Sequence, residues 1–369
     1  MSFYDRVSEF RDFDIAGFCT KTDAHDVERA LNRSSLSDKD FLILLSEQAD
    51  RFLEPMAQTA AACTRRHFGN AVILFTPMYI SNYCENVCPY CSFARQHGII
   101  RSHLSRAEIE AEAKRISESG IRHLLLLTGE APSMVPVSYL EKVITLLRGY
   151  FSSVTIEIYP LSAKDYARLI TAGADGLTLY QETYVQPRYE QLHRGGPKAD
   201  YRFRLDAPER ACMNGMRTVT VGALYGLADW RTDAFMTALH AAYLQAKYPS
   251  VEIGVSFPRI RPQAGSFAPR HCITDRQFVR LLTALRLFLP TAGITLSTRE
   301  SAAFRMAVLP IGVTRMSAGV STSVGGHSGN ESTPQFEIAD SRDVATIKSD
   351  LLEAGFQPVT HDWNHVLTA

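Results

Sequence analysis

From residue 71 onward the chain alternates short β-rich apolar runs with amphipathic stretches, and this alternation limits the folds open to it more than any other feature. The runs cover 71–81, 123–130, 154–160, 176–183, 218–227, 251–260, 294–300 and 313–319. Helical patterns lie between them, at 107–119, 137–150, 163–172, 232–247 and 275–289. Near-continuous apolar strands alternating with helices mark a parallel sheet with helices outside it. Eight strand candidates predict an α/β chain built as a (β/α)8 barrel. An open doubly wound sheet is the alternative, but no Gly-x-Gly-x-x-Gly follows the first run. Residues 1–70 read as an N-terminal helical extension, with Asp23 and Ser37 as helix caps. The barrel spans 71–320. Residues 321–369 form a short C-terminal extension that closes it: a polar Gly-rich loop, a helix over 341–354 and a short strand within 356–362.

Composition sets the outer limits. The 369 residues are 46% apolar, enough for a large core. Lys+Arg and Asp+Glu balance at 39 each, so no nucleic acid and no anionic membrane surface is expected as a partner. No apolar run approaches the roughly 18 residues of a membrane-spanning helix. The first residues, Met1-Ser-Phe-Tyr-Asp-Arg6, carry no apolar signal core. Seven cysteines, three of them clustered, point to a reducing compartment, with the cytoplasm as the default.

The clustered cysteines follow the first strand, in Tyr79-Ile-Ser-Asn-Tyr-Cys84-Glu-Asn-Val-Cys88-Pro-Tyr90-Cys91. Three thiolates on one tight loop hold three corners of a metal centre. A zinc site would normally add a fourth Cys or His with its own paired spacing. Cys19, Cys63, Cys212 and Cys272 are scattered singly. A cubane iron–sulfur cluster with one open iron suits three ligands better, since thiolate is the usual iron–sulfur ligand. Three inert structural thiols are the bland alternative.

Catalytic groups of a barrel come from the C-terminal ends of its strands, so the polar residues there carry the weight. The second run ends Thr128-Gly-Glu130, where a carboxylate can take an ammonium group and the Gly permits close backbone approach, or the turn is simply a turn. The fourth ends Tyr180-Gln-Glu182, and Arg204 follows about twenty residues later. Glu182 and Arg204 form either a surface salt bridge or a pair for a ribose diol and a carboxylate. The fifth ends Gly222-Ala-Leu224-Tyr-Gly226, glycines that either relieve crowding or open the backbone to an adenine edge. The seventh ends Arg299-Glu300: the Arg is neutralised by Glu300 or a nearby acid, or it waits for an anionic substrate. Ser317 on the eighth and Tyr79 on the first complete the polar ring. Arg259 and Arg261 read as loop anchors outside the site. His193 and His327 read as structural, with His327 the one histidine to watch as a mobile acid or base. No Ser-His-Asp order, Walker loop or His-Glu-x-x-His occurs, which excludes the common hydrolase and phosphotransferase readings.

The cysteine spacing, with Tyr90 before the third Cys, resembles the signature of the radical S-adenosylmethionine (SAM) superfamily. Further stretches extend the likeness: Pro77-Met-Tyr-Ile-Ser-Asn-Tyr-Cys84, Leu127-Thr-Gly-Glu130, Tyr180-Gln-Glu-Thr-Tyr184, Gly222-Ala-Leu-Tyr-Gly-Leu227, Ser256-Phe-Pro-Arg-Ile-Arg-Pro262, Leu296-Ser-Thr-Arg-Glu-Ser301, Gln335-Phe-Glu-Ile338 and the terminal Asp362-Trp363. Together they resemble the 2-iminoacetate synthases, the tyrosine lyases of anaerobic thiamine biosynthesis, over nearly the whole chain. The resemblance implies a radical SAM barrel, a [4Fe-4S] cluster and S-adenosyl-L-methionine as cofactors. It implies L-tyrosine as substrate, with a 5′-deoxyadenosyl radical taking a hydrogen from its amino group before Cα–Cβ cleavage to 2-iminoacetate and p-cresol. It implies thiazole synthase as a partner and reduced flavodoxin or ferredoxin as electron donor.

Carried over residue by residue, Cys84, Cys88 and Cys91 would hold the cluster. Tyr90 and the Gly222–Gly226 turn with Leu224 would contact adenine. Glu130 would bind the SAM ammonium, Glu182 and Arg204 the ribose and carboxylate side. Arg299 would clamp the tyrosine carboxylate, with Tyr79 and Ser317 orienting the amino acid. The sister hydrogenase maturase carries a Cys-rich C-terminal extension; here the last cysteine is Cys272, which argues against it. A tryptophan lyase of the same superfamily and a non-catalytic iron–sulfur scaffold are the alternatives. The scaffold leaves Glu130, Glu182, Arg204 and Arg299 unexplained.

Overall fold

In the computed structural model, which describes residues 2–269 and 271–362, eight parallel strands close into a barrel. They are β1 (Ala71–Ser81), β2 (His123–Thr128), β3 (Ser153–Glu157), β4 (Gly176–Tyr180), β5 (Thr218–Gly222), β6 (Glu252–Ser256), β7 (Gly293–Leu296) and β8 (Arg315–Ser317); a short β9 (Gln357–Val359) follows. Each barrel strand pairs with the next, and β1 pairs with both β8 and β2. β9 pairs with the first residues of β1, Ala71 to Ile73, whereas β2 joins β1 only from Thr76. The Arg122 N–H donates to the Thr360 carbonyl at 2.8 Å. β9 therefore fills the gap that β1 and β2 leave at the N-terminal end of the barrel. Trp363, part of the sequence likeness, lies outside the described residues.

The strands alternate faces with a period of two. Val154, Ile156, Val219, Val221 and Ile294 point outward and are fully buried under the helices. Ser153, Thr155, Thr178, Thr220 and Thr295 line a lower chamber inside the barrel. The lumen is thus more polar than near-continuous apolar runs suggest. Most strands are also shorter than their runs. Residues 223–227 belong to the fifth run but are buried loop, as apolar as a strand because they lie against the barrel mouth. Between β4 and β5 the chain forms three short helices, Gln186–Leu192, Tyr201–Leu205 and Ala207–Met213. Each is too short for its periodicity to stand out.

Helices before β1 pack on the outside of the barrel, against helices Trp230–Lys247 and Asp275–Phe288. Asp23 and Ser37 cap two of them through capping boxes. The fully buried Arg280 joins the two layers, donating to Asp50 at 2.9 Å and to the Ser46 carbonyl at 2.8 Å. At the other end, residues 321–342 fold over the barrel mouth. Glu112, buried on helix Arg106–Glu118, accepts from the backbone N–H groups of His327 and Ser328 and from the Ser328 hydroxyl. Among the described residues no helix is long and apolar enough to cross a membrane.

Candidate active site

The C-terminal ends of the strands surround a cavity of about 970 Å³, including its open mouth. One wall is the cysteine loop that follows β1. Its backbone is held from several sides. Arg101 donates to the carbonyls of Asn82, Phe93 and Ala94, and the Glu85 N–H donates to the Glu130 carbonyl at 2.9 Å. Asn86 clips the loop to two further segments: its amide donates to Glu130 at 2.8 Å and its oxygen accepts from the Lys198 N–H at 2.9 Å. Gly129 explains the Gly of Thr-Gly-Glu. A Cβ there would stand 2.2 Å from the Tyr83 carbonyl oxygen, so the backbone that approaches closely is the cysteine loop itself. Cys84, Cys88 and Cys91 are unbridged and all line the cavity. Burial raises the thiol pKa of each, Cys91 to about 11.

Next to this loop the cavity wall carries four charged side chains. Arg204 donates to Glu130 at 2.6 Å, to Glu182 at 3.3 Å and to the Tyr180 carbonyl at 2.8 Å. Lys198 donates to Glu182 at 2.7 Å and stands 3.5 Å from Glu130. Two carboxylates and two cations therefore cancel. Burial works against the Glu130 charge, but Lys198 and Arg204 outweigh it and hold its carboxyl at about 2. Glu182 is likewise shifted down, and Lys198 and Arg204 up. The Glu182–Arg204 pair is buried, not a surface bridge. Glu182 has φ 69°, the only positive φ among the described non-glycine residues. Strain of that kind costs of order 1–3 kcal/mol and persists where surroundings impose it. Here its carbonyl accepts from the Leu224 N–H at 2.8 Å while its side chain is fixed by both cations.

Arg299, after β7, enters the same cavity without a carboxylate partner. Glu300 does not neutralise it: that carboxylate, like Asp275, binds Arg259, which is a loop anchor. The Arg299 guanidinium lies 3.4 Å from the centroid of the Phe336 ring and donates to the Arg259 carbonyl at 3.3 Å. Arg261, read from sequence as an anchor, also lines the cavity, its Nε buried with no hydrogen-bond partner.

Of the remaining expected residues, Tyr90 and Leu224 line the cavity, and Tyr79, Ser317 and Gly222 do not. The Tyr79 hydroxyl donates to Gln335 Oε1 at 2.8 Å, and it is Gln335, from the segment over the mouth, that reaches the cavity. Ser317 Oγ accepts from the Thr298 N–H at 3.1 Å and so supports the turn that presents Arg299. A Cβ on Gly222 would stand 2.1 Å from the Ser256 carbonyl oxygen and 2.9 Å from the Tyr180 ring, so this glycine makes room chiefly for the end of β6 and also for the tyrosine. His327 is not a mobile acid or base at the site. Its ring is 3.0 Å from the Pro77 carbonyl, away from the cavity. His193 is buried: Nδ1–H donates to the Tyr189 carbonyl at 2.7 Å, which leaves Nε2 to accept from the Tyr90 hydroxyl at 2.5 Å. Burial and Lys198 pull its pKa to about 3.

Sequence reasoning missed Glu157, Lys198 and Asn86. Glu157 ends β3 and is the one charge in the alternating stretch Ser153-Val-Thr-Ile-Glu157, a signal hidden by reading the run as apolar through 160. Lys198 sits in a short 3-10 turn, Pro197–Ala199, and Asn86 inside the cysteine loop; no local pattern marks either.

The donor set fits a [4Fe-4S] cluster and SAM. Among the described residues no three His, Cys, Asp or Glu side chains converge on one point as a mononuclear site requires. A cubane takes each thiolate at a separate iron. Thiols whose pKa is raised by burial need a cationic partner to become thiolates, and iron supplies one.

Two family models match the chain: the Radical SAM superfamily over residues 78–238, and the Biotin and Thiamin Synthesis associated domain over 256–357. The second begins at β6, inside the barrel. The chain is 40% identical to the 2-iminoacetate synthase of Salmonella typhimurium over 365 residues, 98% of this chain and 97% of that one. It is 41% identical to the 2-iminoacetate synthase of Escherichia coli over 346 residues, 93% and 92% of the two chains. The crystal structure of HydG, a maturase of the [FeFe]-hydrogenase, is similar with a TM-score of 0.88 and 31% identity, covering 95% of this chain and 80% of that one.

Proposed function

The chain belongs to the 2-iminoacetate synthase family of the radical SAM superfamily, and from that membership we propose its reaction and the part each residue plays. It is a carbon–carbon lyase that cleaves the Cα–Cβ bond of L-tyrosine to 2-iminoacetate and p-cresol, for the thiazole moiety of thiamine. When bound, the [4Fe-4S] cluster and SAM supply a 5′-deoxyadenosyl radical by reductive cleavage, with methionine as co-product.

Cys84, Cys88 and Cys91 hold the cluster. Tyr90 and Leu224 border the adenine, Glu130 takes the SAM ammonium, and Glu182 and Arg204 take the ribose and carboxylate side. Arg299 fixes the tyrosine carboxylate as a bidentate fork. Tyr79 acts through Gln335 and Ser317 through the Thr298–Arg299 turn, so both position rather than contact the substrate. A primary radical attacks almost any nearby C–H bond. Selectivity therefore rests on holding one hydrogen within reach and excluding the rest. The observation that carries this reading is the Arg299 guanidinium, without a carboxylate partner and in the same cavity as the cysteine loop. Arg259, the neighbouring arginine, is by contrast neutralised by Glu300 and Asp275.

Thiazole synthase receives the 2-iminoacetate, which hydrolyses readily and gains from direct transfer. Reduced flavodoxin or ferredoxin donates the electron, and the reaction takes place in the cytoplasm. The test is anaerobic: the reconstituted protein receives SAM, dithionite and L-tyrosine, with L-tryptophan in parallel. 5′-Deoxyadenosine and p-cresol from tyrosine are expected. In Arg299→Ala the cluster should remain while kcat/KM for tyrosine falls by about 10²–10³, the value of a lost charge-assisted clamp. An indolic product from tryptophan instead would move the assignment to the sister lyase.

A further inference from the structure

One carboxyl in the cavity has no role in the assignments above. Glu157 ends β3, two positions on from Thr155 and four from Ser153, and shares their inward face. Where Ser153 and Thr155 line the lower chamber, Glu157 reaches the upper one. Among the described residues it has neither an ion pair nor a hydrogen bond to its carboxyl. The other two acids of this cavity, Glu130 and Glu182, are each held by two cations. β3 and β7 stand across the barrel from each other, so Glu157 and Arg299 approach the cavity from opposite walls. Arg261 also lines the cavity without an ion pair among the described residues, but it is Arg299 whose charge acts most strongly on Glu157, and this guanidinium and this carboxyl match the two charged groups of an α-amino acid.

We propose that Glu157 receives the α-ammonium group of the amino-acid substrate and takes a proton from it, leaving the amine neutral for hydrogen abstraction. The proposal rests on the amino-acid lyase reading. One N–H bond breaks heterolytically. Its electron pair stays on nitrogen and the proton goes to a Glu157 oxygen, so that R–NH3⁺ and –COO⁻ become R–NH2 and –COOH. Charge is conserved, and no other reactant is needed.

The surroundings favour the neutral pair. Burial pushes the Glu157 carboxyl up to about 7, with Arg299 only partly opposing it and Glu182 adding to the rise. The other charges that bear on it are Arg204 and Lys198, both already bound to Glu130 and Glu182. Tyr79 and Tyr180 also face it, and both are raised rather than ionised. When a substrate carboxylate binds Arg299, the main charge holding the Glu157 proton affinity down is itself neutralised. Glu157 then becomes more basic as the ammonium arrives. Once the substrate fills the cavity and displaces its water, an uncharged acid–amine pair costs less than two separated ions.

The experiment compares two ligands on the cluster- and SAM-loaded protein without reductant, so that no turnover intervenes. L-Tyrosine and 3-(4-hydroxyphenyl)propanoate differ only in the amino group. Wild type should prefer tyrosine by about tenfold or more, the size of one charge-assisted contact. Glu157→Gln should lose that preference while binding the propanoate as wild type does. With reductant, wild-type kcat/KM for p-cresol formation should rise with pH through about 7. Glu157→Gln should lack that limb and turn over about 10²–10⁴-fold more slowly, and Glu157→Asp should retain the limb at reduced rate. A Glu157→Gln variant that keeps both the preference and the limb overturns the proposal. A wild type that binds neither ligand and releases no p-cresol overturns the lyase reading and the proposal with it. Cluster absorbance of each variant verifies an intact site.

Discussion

Two sets of charged side chains face the same cavity under different conditions. Glu130, Glu182, Lys198 and Arg204 form a closed network with contacts from 2.6 to 3.5 Å, each charge answered by the protein. Glu157 and Arg299, on β3 and just after β7, are answered by no opposite charge within ion-pair reach. Direct pairing of buried charges offsets their desolvation; a half-buried charge left open is a smaller cost that the folded chain carries until a ligand supplies the partner. The first set keeps its acids ionised, with Glu130 at about 2. The second lets burial win, with Glu157 at about 7. The same residue type, at equivalent strand ends, thus acquires opposite proton affinities from its neighbours alone.

The sharpest way to break this contrast is to delete one cation from each set. Arg204→Ala leaves two buried carboxylates to Lys198 alone and should destabilise the protein by about 3–5 kcal/mol. Arg299→Ala removes an unanswered charge and should leave the unfolding midpoint unchanged or slightly higher. Thermal unfolding of the cluster-loaded, SAM-free protein measures both, and equal losses would erase the distinction.

A second comparison uses pH and should be smaller. The Glu130 pKa falls from 4.5 to about 2 on folding, so its stabilisation is complete above about 4.5 and disappears as pH falls toward 2. The Glu157 pKa rises from 4.5 to about 7, so its effect has the opposite sign: a cost that is full above about 7 and vanishes as pH falls to 4.5. At pH 8 Glu157→Gln should therefore gain about 1–3 kcal/mol and Glu130→Gln should lose at least as much. The Glu157→Gln gain should be gone by about pH 4.5. A loss of stability in Glu157→Gln at pH 8 would show that its carboxyl is satisfied after all. The smallest effect belongs to Tyr79→Phe, which removes one neutral hydrogen bond to Gln335. It should cost about 0.5–1.5 kcal/mol and leave the binding preference for tyrosine over its amine-free analogue intact.

Much of the site was legible because strand ends are. Glu130, Glu182, Leu224 and Arg299 reach the cavity at positions that a barrel reading singles out, and the cysteine loop with Tyr90 is marked by its spacing and family resemblance. Glu157 was equally available, through the period-two alternation of Ser153-Val-Thr-Ile-Glu157, but a polar inward face is easily lost inside an apolar run. Lys198 and Asn86 carry no such mark. Lys198 becomes a site residue only because the turn Pro197–Ala199 folds back onto the cysteine loop, and Asn86 because the same loop meets β2. Ser317 and Tyr79 also sit at strand ends, yet each hydroxyl meets another protein group and neither lines the cavity.

By itself the sequence determined what depends on local pattern: strand–helix alternation that closes into a barrel, caps that start the helices, three thiols on one loop, and polar residues at the strand ends. Only the tertiary structure decided which charges cancel. Glu130 and Arg204 are 74 residues apart in the chain and 2.6 Å apart in space, whereas Arg299 lies next to Glu300 and is not neutralised by it. Coulomb energy and burial depend on distance in the closed barrel and not on separation along the chain. Which acid stays ionised and which is poised to take a proton was therefore settled when the strands met.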